Sequence, residues 1–255
     1  MIRRPAAAGL FYPADPEALG ARVDALLDEA GRRPDGGVLG LVAPHAGYDY
    51  SGPVAASAFA IAPDVTDVVL LGPSHFVPLS GLAVSGADTW ATPLGDVPVS
   101  ERLRTAALEA GAVVDDEPHA PDHALEVELP FLQRTCSQAL EILPVAVGRT
   151  APEGVARLLE ALDAFVVVST DLSHYLADGA ARRIDRETAE AVVGRDPDAI
   201  GERAACGVFA LRGLVEHARR HDLDVELLDL RTSADTTGDH TRVVGYGAFA
   251  VRGVA

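Results

Sequence analysis

The chain has 255 residues, 48% of them hydrophobic, and a formal net charge of −17 at pH 7. Such an acidic protein is a poor partner for nucleic acid or for an anionic membrane surface. The length and the apolar content suit one α/β domain over residues 1–255, and no stretch is typical of a linker. With two cysteines and no signal-peptide pattern, we expect a cytoplasmic protein with reduced thiols.

The N-terminal part of the sequence combines an irregular apolar segment with an amphipathic helix. Residues 5–13 read PAAAGLFYP, and we expect them to form an arm tied onto the core. A helix is predicted over Pro16–Ala30, with Asp15 as its N-cap and Gly31 just past its end. Its leucines and valine recur on one face, which predicts that the helix covers a sheet.

Two short apolar runs in the next segment each lead into a histidine. Val38–Ala43 is typical of a strand buried on both faces, and it ends at Pro44, directly before His45. Asp67–Leu71 is a second such run, and the tripeptide Gly-Pro-Ser separates it from His75. A single histidine in this position is more often structural than catalytic. Only the recurrence of the pattern indicates a functional site.

The middle of the sequence alternates predicted regular elements with polar loops. These elements are a strand at Leu82–Ser85, a polar loop at 88–95, a helix at Glu101–Ala110, a loop at 115–123 and a helix at Ala124–Leu132. The first loop carries Trp90, which either lines a pocket or packs in the core or an interface.

The loop at 115–123 is rich in carboxylates and imidazoles. We interpret His119 as a solvated loop residue and place His123 at the N-terminal end of the following helix, where the dipole favours a neutral ring. Glu126 is expected either to cap the backbone or to orient a ligand.

The second half of the sequence continues the alternation. We predict strands at Leu140–Val147, Phe165–Val168, Val225–Leu230 and Arg242–Val251, and helices at Pro152–Leu162, Arg182–Gly194 and Ile200–His221. Phe165–Val168 is the third buried run, and Asp171 and His174 follow it within a few residues. Because parallel strands bring their carboxyl ends to one edge of a sheet, the three histidines are expected to meet in one crevice.

The two cysteines have different surroundings in the sequence. Cys136 is interpreted as a small buried hydrophobe at the end of a helix, whereas Cys206 is followed by Gly207 where the last predicted helix is interrupted. A glycine there allows close backbone approach and presents the thiol. His217 and His221 are four residues apart, a spacing that can bind metal, but a solvated helix face is the favoured interpretation.

An ordered set of motifs across nearly the whole chain resembles the Memo-like family. The motifs are R-x-P-A-x-A-G-x-F-Y-P at Arg3–Pro13, A-P-H-A-G-Y-x-Y-S-G at Ala43–Gly52, G-P-S-H at Gly72–His75, T-P-L-G at Thr92–Gly95, D-H-x-L-E-V-x-L-P-F-L at Asp122–Leu132, S-T-D-L-S-H-Y at Ser169–Tyr175, C-G at Cys206–Gly207 and V-V-G-Y at Val243–Tyr246. The family is similar in fold to the LigB-type class III extradiol dioxygenases. The resemblance therefore implies a single three-layer α/β/α sandwich with a mainly parallel or mixed central sheet.

The same resemblance implies a mononuclear metal site on His45, His75 and Cys206. Fe(II) is the metal it favours, with Cu or Zn as alternatives. His123, His174 and Asp171 are implied as catalytic residues of the same pocket, with the two histidines either transferring protons or only orienting the ligands. The third ligand of the dioxygenases is a carboxylate, and the thiolate that replaces it is a softer ligand that favours copper or zinc more than glutamate does.

Two classes of function follow from this resemblance. One is a metal-dependent oxidoreductase, dioxygenase-like, that acts on a small-molecule or peptide ligand in the metal pocket. The other is a non-enzymatic metal- or peptide-binding protein that retains the ancestral pocket. Members of the family in bacteria and archaea are often encoded beside a radical SAM protein and an AMMECR-like protein, which the resemblance implies as partners.

Overall fold

The computed structural model describes residues 1–136 and 139–253 of the chain. Its helices are α1 (Pro16–Glu29), α2 (Gly52–Phe59), α3 (Glu101–Glu109), α4 (Leu129–Thr135), α5 (Pro152–Ala161), α6 (Asp178–Val193), α7 (Val208–Arg220) and α8 (Ala234–Thr237). Its strands are β1 (Ile2–Arg3), β2 (Val38–Ala43), β3 (Asp67–Pro73), β4 (Leu82–Val84), β5 (Thr89–Thr92), β6 (Gly95–Pro98), β7 (Val113–Val114), β8 (Glu141–Val147), β9 (Phe165–Ser169), β10 (His174–Leu176), β11 (Asp224–Thr232) and β12 (Val243–Arg252).

The apolar runs of the sequence form the centre of a mixed sheet with the order β10-β12-β2-β9-β3-β8-β4-β7, in which β11 also pairs with β12. The strands β2, β9, β3 and β8 are parallel neighbours. The partners on either side, β12 and β4, run antiparallel to them. This arrangement confirms the predicted α/β fold with a mixed central sheet.

Helices cover both faces of this sheet, because side chains that alternate along each central strand enter two separate cores. Leu41 and Val167 pack on one side with residues of α1, α2 and α4. Val42 and Val168 pack on the other side with residues of α3, α5, α6 and α7. The three-layer sandwich thus follows from the continuous apolar runs of β2 and of Phe165–Val168 in β9.

The first helix matches its prediction closely. It spans Pro16–Glu29, and the side chain of Asp15 accepts a hydrogen bond of 2.8 Å from the amide of Ala18. None of the helices in the described part of the chain is long and apolar enough to cross a membrane.

The predicted polar loop at 88–95 is wrong, because this segment forms a hairpin of β5 and β6 that pairs with β1 in a small second sheet. Trp90 is 1% exposed, and its indole nitrogen donates to the Ser85 hydroxyl over 3.2 Å. It therefore belongs to the core. His119, which we expected to be solvated, is 2% exposed because its ring packs edge-on against Trp90 and lies 3.1 Å from the carbonyl oxygen of Ala83.

Two predicted helices begin later than expected. The helix predicted at 124–132 starts at Leu129, because Glu126 and Glu128 are fully buried and bond to other parts of the chain. His123 consequently lies in a loop and not at a helix N-terminus. The helix predicted at 200–221 starts at Val208, since Gly207 packs directly on Thr170.

Candidate metal centre

The carboxyl ends of β2, β9 and β3 meet at one edge of the sheet and bring the histidines that follow them together. The rings of His45 and His75 have centroids 5.2 Å apart, and those of His75 and His123 stack at 4.9 Å with planes inclined by 5°. The predicted crevice is therefore present. His174, at the start of β10, lines the same cavity.

His45, His75 and Cys206 form a group that is able to hold one metal ion. Nε2 of His45 lies 3.3 Å from Sγ of Cys206, and one donor atom from each of the three residues lies within 4.8 Å of the others. Ligands at about 2.0–2.3 Å from a tetrahedral ion are separated by roughly 3.3–3.8 Å. The donor set and its spacing therefore fit a mononuclear site after small adjustments of side chains.

Cys206 reaches this position because its backbone packs against the end of β9. A Cβ atom at Gly207 would lie 2.8 Å from Cβ of Thr170, which explains why glycine stands there. The amide of Asp171 donates to Sγ over 3.2 Å, and the amide of Cys206 donates to the carbonyl of Asp171 over 3.1 Å. Burial raises the pKa of the Cys206 thiol to about 12, and the Asp171 carboxylate adds to this effect. A bound cation would reverse that balance, since metals deprotonate a coordinating thiol.

The orientation of His45 is set by a chain of hydrogen bonds that ends at Glu128. Oγ of Ser169 lies 2.8 Å from Nδ1 of His45, 2.8 Å from the carbonyl oxygen of Ala124 and 2.7 Å from Oε1 of Glu128. Its single proton must go to the carbonyl, so the other two partners must donate. Burial raises the pKa of Glu128 well above its usual value, which keeps this carboxyl protonated and able to donate. Nδ1 of His45 therefore carries the proton, and Nε2 offers its lone pair to a metal.

Ser169→Ala is expected to weaken metal binding by about 10–100-fold, the typical cost of losing a group that orients a ligand. The change removes the acceptor of the His45 Nδ1 proton and touches no donor atom of the site. Affinity is measured by competition with a chromophoric chelator. Ser51→Ala is the matched control, because the buried Ser51 hydroxyl has one hydrogen bond among the described residues, to the carbonyl of Ala46 at 2.9 Å. Equal affinities of the two variants would contradict the assignment of the His45 tautomer.

Asp122 orients His75 in the same way. Its Oδ1 lies 3.0 Å from Nδ1 of His75, and its Oδ2 accepts the backbone amide of His75 over 2.6 Å. Burial alone would raise the pKa of Asp122, but the hydrogen bonds from His75 outweigh it and the pKa falls to about 2. This carboxylate–imidazole pair leaves Nε2 of His75 for a metal. Sequence reasoning gave Asp122 no role, although it directly precedes His123 in a quoted motif.

The donors open into a cavity of about 580 Å³ whose wall includes the three predicted catalytic residues. Nδ1 of His174 donates to the carbonyl of Leu172 over 2.7 Å, so Nε2 is the nitrogen available to a ligand. Oδ1 of Asp171 accepts the amide of His45 over 2.9 Å, and burial raises the pKa of Asp171 to about 7. His123 lies between His75 and Phe11, whose ring centroid is 4.3 Å away. All three side chains thus adjoin the donor group.

Phe11 was not predicted as part of the site, and it arrives there on the N-terminal arm. Glu126 anchors this arm by accepting the amides of Ala6 and Ala7 over 2.7 Å and 2.9 Å, and it also bonds the side chains of Arg3 and Tyr12. We predicted that Glu126 either caps the backbone or orients a ligand, and in the structure its carboxylate accepts backbone amides of the arm. Among the described residues, the hydrogen bonds of the Glu126 carboxylate go to this N-terminal segment, and none goes to His45, His75 or Cys206.

Comparisons with known proteins agree with the motifs. The family profile described as "Memo-like protein" matches residues 3–250. A MEMO1 family protein of Methanopyrus kandleri is 35% identical to the chain, with 99% of each covered. One of Methanosarcina barkeri is 34% identical, with 98% of this chain and all of the relative (100%) covered. The crystal structure of an uncharacterized Escherichia coli protein superposes with a TM-score of 0.51 at 12% identity, over 82% of this chain and 98% of that one. This likeness supports the fold alone.

Proposed function

This chain belongs to the Memo-like protein family, and we propose that it is a mononuclear Fe(II) protein that carries out an oxidoreductase reaction in the cavity beside His45, His75 and Cys206. The observation that carries the proposal is the pair of pre-oriented imidazoles. Ser169 holds Nδ1 of His45 and Asp122 holds Nδ1 of His75, so both rings are set to offer Nε2 toward one point. Such support of the ligands is characteristic of metal sites.

The donor set suits a metal that also needs room for a substrate. Two imidazoles and one anionic group leave coordination positions open, as in non-haem Fe(II) sites that use two histidines and a carboxylate. An Fe(II) ion bound there would supply redox chemistry at those open positions. The cavity of about 580 Å³ offers space for a small molecule or the tip of a peptide next to them.

The chain's own residues would bind the substrate and move protons. His123 and His174 adjoin the donor group without belonging to it, and burial lowers the pKa of both rings, so each is neutral and able to accept a proton. Asp171 holds the backbone of His45 and completes the polar wall of the cavity. Phe11 packs on His123 and adds an apolar ring to the wall of the cavity.

A second candidate is a binding protein that holds metal or a peptide without turnover. The thiol of Cys206 favours it, because a soft ligand in place of a carboxylate favours Cu or Zn more than Fe(II) sites of the dioxygenase type do. A Zn ion has no redox chemistry. The same residues would then serve as a binding site.

The test is metal analysis of anaerobically purified protein, followed by oxygen uptake of the Fe(II)-loaded form with ascorbate as the electron donor. We expect about one Fe(II) per chain and steady oxygen consumption. His123→Ala and His174→Ala should keep the metal but slow oxygen uptake. The rate should lose most of the about 10²–10⁴-fold enhancement that positioned proton transfer contributes. His240→Ala, on the protein surface, is the control. Tight metal binding without oxygen uptake would reject the oxidoreductase in favour of the binding protein.

A further inference from the structure

A second cluster of metal-binding side chains lies on the helical layer, away from Cys206. His217 in the last turn of α7, His221 at its C-cap and Glu160 in α5 each offer a donor atom within 4.8 Å of the others. The two imidazole rings have centroids 4.5 Å apart. We propose that Glu160, His217 and His221 form a second metal site, for Zn²⁺ or a similar borderline cation, that binds independently of the site at Cys206.

The sequence favoured a solvated face for these histidines, and the packing of α7 on α5 changes that interpretation. A Cβ atom at Gly213 would lie 2.2 Å from Cβ of Val155, so the two helix backbones approach closely. This approach partly buries His217 and brings Glu160 of the neighbouring helix to the histidine pair. A third ligand from another helix converts a surface i, i+4 pair into a chelating group.

His217 itself points to a missing partner. Its Nδ1 is shielded from solvent and forms no well-aligned hydrogen bond within the part of the chain that the structure describes, although a backbone contact with Ala156 acts on the pKa of the ring. A buried ring nitrogen without a well-aligned partner is costly, because its desolvation is not repaid. A cation between the two rings would supply the partner that the polypeptide does not, after a small rotation of His221, which is exposed.

The surrounding charges allow a cation to bind without leaving Arg220 unpaired. Glu160 now pairs with Arg220 over 3.2 Å and lies 3.5 Å from Nε2 of His221. Arg220 also bonds to Oε1 of Glu216 over 2.7 Å, so it keeps a carboxylate partner when Glu160 turns to the cation. Two histidines and one glutamate with a position left for water is an established ligand set for Zn²⁺. The competition from Arg220 sets a moderate affinity.

The test is equilibrium dialysis against Zn²⁺ in the Cys206→Ala variant, which weakens the other site. We expect one Zn²⁺ per chain, and we expect His217→Ala, His221→Ala and Glu160→Gln in that background each to lower the affinity by about tenfold or more. Arg220→Gln should raise the affinity, because it removes both the competing cation and its repulsion. Loading with Co²⁺ should give ligand-field bands without a thiolate charge-transfer band.

His240→Ala is the matched control, because His240 is a surface histidine whose partner at 2.8 Å is the carboxylate of Asp178 and not another imidazole. It should leave Zn²⁺ binding unchanged. All of these side chains are at least partly exposed, and circular dichroism verifies that each variant is folded. The proposal is overturned if the three ligand variants bind Zn²⁺ as the Cys206→Ala protein does, or if His240→Ala weakens binding as much as they do.

Discussion

Cys206→Ala should abolish metal binding at the proposed site beside the ends of β2, β3 and β9. The loss of affinity should exceed the about 10–100-fold that removal of an orienting group causes, because a ligand itself is lost. Sγ of Cys206 lies 3.3 Å from Nε2 of His45, and it is the soft member of the donor group. Metal content after anaerobic purification, with thermal melts to verify folding, measures the effect.

Substitutions of different hardness at the same position sharpen the prediction. Cys206→Ser should lower occupancy and shift the preference toward harder ions such as Mn²⁺, since the hydroxyl replaces a thiolate. Cys206→Glu should restore a dioxygenase-like set of two histidines and a carboxylate, and it should recover Fe(II) binding that Cys206→Ala lacks.

Cys136→Ser is the control for a general effect of removing a thiol. Cys136 is partly buried at the end of α4 and packs against the core. Its replacement should cost about 1–3 kcal/mol of the free energy of unfolding if the hydroxyl lacks a partner, and it should leave metal content unchanged. Full metal occupancy in Cys206→Ala would show that the third ligand is another residue, with Asp171 and His174 as the nearest alternatives.

The parts of the structure that the sequence predicted correctly rest on local patterns. The bounds of β2 were predicted without error, because its six apolar residues are followed at once by Pro44, which marks the end of the strand. The convergence of His45 and His75 followed from the rule that parallel strands share a carboxyl edge. Both predictions need only the residues of one element and the class of sheet.

The predictions that failed depend on contacts between residues far apart in the chain. A helix from residue 124 would place Glu126 and Glu128 on a helix surface, whereas the structure buries them against the arm and Ser169. His119 is buried because its ring packs edge-on against Trp90. The guanidinium of Arg3 covers the Trp90 ring, with Cζ 4.4 Å from the ring centroid. Amphipathic periodicity carries no information about such partners, so it gave a helix where these glutamates are buried and left His119 in the solvent.

The candidate metal site shows the same difference between local patterns and distant contacts. Its donors could be named from motifs, but the groups that orient them could not. Ser169 belongs to a quoted motif, yet its role depends on its hydrogen bond with Glu128, which is distant in the chain. The second cluster could not be completed from the sequence either, because Glu160 lies on a different helix from His217 and His221.

Glu126→Ala is expected to destabilise the protein by about 3–5 kcal/mol, the cost of removing one partner of a buried ion pair. The side chain of Glu126 is fully buried (0% exposed), and that of Arg3, its partner, is 6% exposed. The variant leaves the guanidinium buried without its counter-charge and also orphans the amides of Ala6 and Ala7. The free energy of unfolding from denaturant titration measures the effect. Limited proteolysis should show cleavage of residues 5–13, the arm that carries Phe11.

Glu187→Ala is the matched control for this variant, because Glu187 pairs with Arg183 over 3.5 Å while both side chains are more than half exposed, at 64% and 65%. Such surface pairs contribute about 0–1 kcal/mol. Glu126→Gln should lie between the two, since its amide oxygen still accepts some of the donors but carries no charge for Arg3. The carboxylate of Glu126 bonds to the arm, so we expect metal content to be retained in the folded fraction of Glu126→Ala. A loss of stability below about 1 kcal/mol, equal to that of a surface pair, would mean that the arm is held by its apolar contacts and not by this carboxylate.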